Sequence, residues 1–163
     1  MTFFVDRDLG PRVGVALRSV QVDVVLHHER FGARVPDVEW LAAVAGEQMV
    51  ILSRDRKMRT RPAEREAFEK AGARCFVVAT GASTPLDDLR ALLWAWPAIL
   101  GHVATTPGPF MYGVSRDGFL TQWLPAEGPS GPTSRFEGLR NSRRRQGASL
   151  PSEDGTRTEI PGA

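Results

Sequence analysis

The chain is expected to be an α/β protein with a mainly parallel sheet, and three observations carry that expectation. Short apolar runs alternate with helix-patterned segments, turn residues separate them, and the composition changes at residue 125. A length of 163 residues suggests one domain with an appendage, and 42% hydrophobic residues can supply its core.

Each element follows from local residue chemistry. "TFFV" is a short apolar strand. "GPRVGVALRSV" has helical spacing, with Pro11 tolerated in a first turn where its missing N–H is not needed. "VDVVLH" is the second strand and "FGARVP" a loop. "DVEWLAAVAGE" forms the next helix, with Asp37 at its start. "MVILS" is a buried strand, "PAEREAFEKAG" a polar helix ended by Gly72, and "RCFVVA" the fourth strand. "TPLDDLRALLWAWPAILGHV" makes one or two helices, because Pro97 lacks the donor a helix interior needs and kinks or breaks it. "FMYGVS" and "FLTQW" around "RDG" form a short C-terminal hairpin. Four strands joined by three helices imply right-handed crossovers, with ligands gathered at the strands' carboxyl ends.

Residues 1–124 are thus the folded domain and 125–163 a Gly/Pro/Ser/Arg-rich tail, expected to be disordered because few of its residues can build a core. The tail's Arg140, Arg143, Arg144 and Arg145 could touch RNA or an acidic partner. Its 6 arginines nearly balance 5 acidic residues, so a solvated segment is favoured. No run of about 18 apolar residues exists, and no basic-then-apolar pattern opens the chain. Neither a membrane span nor export is indicated, and a cytoplasmic protein is expected. Cys75 has no internal partner and sits in an apolar run, where a small buried residue outweighs a nucleophile. A net charge of +2 says little about partners.

The carboxyl-end rule selects a short set of polar residues. Asp6 and Asp8 follow the first strand; His27, His28 and Glu29 the second; Arg54, Asp55 and Lys57 the third; Asp37 and Glu39 open the helix before it. Acidic residues from three segments therefore converge, and like charges at contact repel by roughly 1–4 kcal/mol per pair. A cation should compensate, and hard oxygen donors favour Mg²⁺ or Mn²⁺. Beside them "RDRKMRTR" places five basic residues in eight, suited to a phosphodiester. A turn with a helix cap at Asp6, and a merely solvated basic loop, are the bland alternatives. The adjacent His27 and His28 read as loop histidines, since neighbours on a strand face opposite ways. Trp40, Trp94 and Trp96 occupy apolar helical positions and read as core.

"FFVDRDLG", "PDVEWLAAV", "VILSRDRKMR", "RCFVVAT" and "PGPFMYGVSRDG", in this order, resemble the PIN-like domains close to VapC-type toxins, over about residues 2–121. The resemblance implies a Rossmann-like three-layer fold and a Mg²⁺- or Mn²⁺-dependent endoribonuclease. It also implies the toxin of a type II toxin–antitoxin system, held by a cognate antitoxin protein, and it admits a homodimer. Asp6 matches the first-strand aspartate, Asp37 the acid opening the central helix, and Asp55 the aspartate after the third strand, with Ser53 at the hydroxyl position. Asp8 stands where the family pattern has Ser, Thr or Asn. Asp6, Asp37 and Asp55 are thereby expected to be catalytic and metal-holding. Asp8 and Glu39 are further ligand candidates, while Arg54, Lys57 and Arg59 would contact RNA. One alternative is a degenerate PIN-like module that binds RNA or a protein without cleaving it. A lesser one is a haloacid dehalogenase-like phosphatase, whose motif would need Thr or Val at Gly10 and whose lysine and acidic pair would fall on Lys70, Asp87 and Asp88 inside helices.

Overall fold

A computed structural model describes residues 1–81 and 84–125. Beyond Pro125, the tail expectation lies outside the described residues. Six strands form one sheet: β1 Phe3–Val5, β2 Val24–Leu26, β3 Val50–Ser53, β4 Arg74–Val78, β5 Phe110–Val114 and β6 Leu120–Leu124. Between them run α1 Pro11–Ser19, α2 His27–Arg30, α3 Asp37–Gly46, α4 Pro62–Lys70 and α5 Pro85–Thr105. The strand order is β2-β1-β3-β4-β5-β6, with every pairing parallel except β5–β6. The C-terminal hairpin is therefore part of the main sheet, because β5 adds a fifth parallel strand beside β4.

Alternation along the strands divides the core into two layers of packing. Phe3, Val5, Val50, Leu52, Phe76 and Val78 join one buried cluster with α1 and α5. Phe4, Ile51, Cys75 and Val77 join the other with α3 and α4. This is the period of two expected of a strand covered on both faces. The result is a three-layer α/β/α arrangement. Gly14 lets α1 approach closely, since a Cβ there would lie 2.2 Å from Leu26 Cδ2.

Three local expectations are corrected. Pro97 does not divide the last helix; α5 runs 21 residues through it. His27 is not a loop residue but begins the single turn α2 and is buried. Its ring packs among Phe4, Phe31 and Trp40, an apolar setting that adjacent polar histidines do not advertise. Trp40 is core, whereas Trp94 is exposed, with the Arg90 guanidinium 5.3 Å above its ring. No helix of the described residues is long and apolar enough to cross a membrane.

Candidate functional site

From β1 the chain crosses to β2 on one side and then to β3 on the other, so the topology switches between β1 and β3. A parallel sheet opens a crevice at the carboxyl ends of such strands. Asp6 directly follows β1, and Asp55 lies two residues beyond β3.

Ser53 joins these two aspartates. Its hydroxyl donates to Asp6 Oδ2 at 2.8 Å and accepts from the Asp55 backbone N–H at 3.0 Å. Asp55 Oδ1 in turn accepts from the Lys57 N–H at 2.8 Å, a side-chain turn that fixes the loop. Asp37, at the first position of α3, is held through Oδ1 by Arg7 Nη2 and Trp40 Nε1, both at 2.9 Å. Arg7 also donates to the Ala33 carbonyl at 3.1 Å, tying the loop before α3 to the end of β1.

Asp37, Asp55 and Glu64 bring one carboxylate oxygen each within 4.8 Å of the others. Glu64 lies in the first turn of α4. Arg61 Nη1 reaches all three acids, at 3.0 Å from Asp55 Oδ2, 2.9 Å from Glu64 Oε1 and 3.9 Å from Asp37 Oδ2. The Arg61 pKa is raised, chiefly by its hydrogen bond to Glu64 and then by the Asp55 charge.

Asp6 differs from the other acids. It is 3% exposed, and its Oδ1 is buried with no hydrogen-bond partner among the described residues. Burial pushes its carboxyl up to about 6, with smaller upward contributions from the charges of Asp8 and Asp37. Hydrogen bonds from Ser53 and the Arg7 backbone oppose that rise. An all-oxygen donor set with one orphaned, buried carboxylate oxygen fits a hard divalent cation.

The expected residues thus fall into distinct settings. Asp37 and Asp55 share the cluster, and Asp6 is linked to it through Ser53. Asp8 is exposed in the turn after β1, and Glu39 is exposed on α3 outside the group of three. Arg54 donates to the Gly81 carbonyl at 2.8 Å and approaches Asp88 Oδ2 at 3.4 Å. Arg59 lies 4.3 Å over the Trp123 ring of β6, and Lys57 is exposed.

Sequence reasoning missed Glu64 and the part that Arg61 plays. Glu64 was legible only as an acid in the first turn of a helix after the basic loop, with Pro62 marking the turn. Arg61 was counted as substrate-facing charge, but its side chain turns back onto the acids. Asp88 is 1% exposed in the first turn of α5 and accepts from the Thr80 hydroxyl at 2.8 Å.

Neither a curated protein nor a solved structure matches the chain. Residues 1–80 match the family model described as a PIN like domain, a span holding β1 to β4 together with Asp6, Asp37, Asp55 and Glu64. Over residues 1–80 the chain is thus similar to PIN-like domains, which are generally nucleases.

Proposed function

We propose that this protein is a Mg²⁺- or Mn²⁺-dependent endoribonuclease and the toxin of a toxin–antitoxin pair. The observation that carries the reading is the approach of Asp37, Asp55 and Glu64 at the topological switch, beside the buried Asp6. Asp6, Asp37 and Asp55 would hold the ion, with Glu64 added by its position and Asp8 and Glu39 at the margin. A bound divalent ion supplies Lewis acidity, acidifying water and offsetting charge at the scissile phosphate.

The chain's own residues account for orientation. Ser53 fixes the Asp6 carboxylate relative to the Asp55 backbone, and Arg7 with Trp40 fixes Asp37. Lys57, on the loop that delivers Asp55, would meet the RNA backbone by charge, as would Arg54 and Arg59 if they leave their present partners.

The Arg61 guanidinium favours one other reading, a module that binds RNA without cleaving it, because an arginine already compensates the acids. One experiment separates the two. Purified full-length protein is mixed with a generic single-stranded RNA and Mn²⁺, alongside Asp37→Asn and Asp55→Asn. The nuclease reading expects cleavage by the parent protein that falls at least about 100-fold in either variant, given the share of the barrier such charge stabilisation carries. RNA binding without cleavage would leave the non-catalytic module standing. The antitoxin is tested by co-expressing a small neighbouring reading frame, which should suppress toxicity.

A further inference from the structure

We propose that Arg61 is a built-in gate on the acidic cluster: it holds the carboxylates as their own counter-ion and must swing out before a divalent ion can take them. The inference rests on the metal-dependent reading above and adds its regulation.

The geometry is that of a cover. One nitrogen, Nη1, serves Asp55 at 3.0 Å and Glu64 at 2.9 Å, with Asp37 at 3.9 Å. The acidic side chains are only 19% (Asp37), 13% (Asp55) and 14% (Glu64) exposed, while that of Arg61 is 45% exposed. The guanidinium therefore lies on the solvent side of the cluster. Asp37 Oδ1 is committed to Arg7 and Trp40, and Asp55 Oδ1 to the Lys57 N–H. The oxygens left for a ligand, Asp37 Oδ2 and Asp55 Oδ2, are those that face Arg61.

The arginine's backbone is fixed while its side chain has room to move. Arg61 caps the start of α4: its N–H donates to the Lys57 carbonyl at 3.1 Å, and its carbonyl accepts from the Arg65 N–H at 2.9 Å. Rotation of an exposed side chain needs no rearrangement of that frame. An expelled guanidinium requires another anion, and the nearest chemistry that supplies one is the phosphodiester of the substrate, which Arg binds bidentately. Metal and RNA should then load cooperatively, because the phosphate stabilises the open position of Arg61.

The test measures Mn²⁺ affinity by calorimetry for the parent protein, Arg61→Gln and Arg61→Lys. Each is titrated with and without a single-stranded oligoribonucleotide with phosphorothioate linkages, which keep the backbone charge and slow hydrolysis at phosphorus, and the oligonucleotide is checked for intactness after the titration. Arg61→Gln should bind Mn²⁺ roughly tenfold more tightly, within the usual range of coupling between sites. Arg61→Lys, which keeps the charge but loses the planar fork, should fall between. The oligonucleotide should tighten Mn²⁺ binding more in the parent than in Arg61→Gln. Equal or weaker Mn²⁺ binding by Arg61→Gln, with the parent binding normally, would overturn the gate and leave the metal reading intact. Absence of Mn²⁺ binding in parent and variants alike would remove both.

Discussion

At the scale of single residues, the burial of Asp6 carries an electrostatic cost. Its carboxyl is pushed up to about 6 from an ordinary 3.8, first by burial and then by nearby Asp8 and Asp37. The unfolded chain releases this proton near 3.8, whereas the folded chain keeps it to about 6. Between those pH values the folded state holds the extra proton, so stability falls as pH rises and the penalty is complete above about 6. For a buried group, a shift of about two units corresponds to an order of 3 kcal/mol. Asp6→Asn should therefore stabilise the protein in chelator at pH 7.5 by about 1–3 kcal/mol and give no gain at pH 4. Urea denaturation at the two pH values is the measurement, and equal effects at both would refute a strained carboxylate. His27 works in the opposite direction. Burial, then the Arg7 charge, lowers its pKa, so the folded protein resists a proton that the unfolded chain accepts, and stability is lost as pH falls below about 6.5. With Asp6 removed, that acid-side loss should become steeper than in the parent.

At the scale of elements, α5 presents a contradiction between propensity and packing. It opens with a capping box, Thr84 accepting from the Asp87 N–H at 3.2 Å, and then continues through Pro97. Ala91, Leu92, Ala95 and Ile99 are buried on either side of the proline, which is itself exposed. Burial of that face holds the helix together against a proline penalty of about 3 kcal/mol. Pro97→Ala should raise unfolding stability by about 1–3 kcal/mol in urea titration; no gain would mean that the surroundings have adapted to the proline. The same competition explains what could be read in advance. β1, β3 and β4 were legible because apolar runs bounded by turns have few other fates, and Asp6, Ser53 and Asp55 were placed by those strand ends. The length of α5 was not legible, because tertiary packing overrides a local breaker. Nor was the burial of His27, which depends on Phe4 and Trp40 arriving from two other segments, with Phe31 closing the same turn. Glu64 and Arg61 escaped for a related reason: the direction of a long side chain off a helix start is decided by the charges it finds.

At the scale of the whole molecule, a net charge of +2 conceals a local run of basic residues in the sequence. Five basic residues lie between 54 and 61, but the structure divides them by what they already hold. Arg61 is spent on the acidic cluster, Arg54 faces Asp88 and Gly81, and Arg59 stacks on Trp123. Arg56 and Lys57 are exposed, and the Lys57 backbone N–H anchors Asp55, so the charge of Lys57 stands beside the candidate site. Single-strand phosphate contacts weaken with a salt slope of about 0.7 each and carry little base information. Lys57→Ala should lower the salt slope of RNA affinity by about that amount across unrelated sequences, while leaving the melting temperature and Mn²⁺ affinity unchanged. Arg59→Ala separates two roles, because the stacked guanidinium also contributes packing of about 0.5–1 kcal/mol. It should lower the melting temperature slightly, and should lower the salt slope only if RNA draws the guanidinium off Trp123. Affinity measured against salt concentration for the parent, both single variants and the double variant distinguishes these outcomes. An unchanged slope in Lys57→Ala would remove Lys57 from the RNA surface. A lost Mn²⁺ site in that variant would instead mean that Lys57 acts by supporting Asp55.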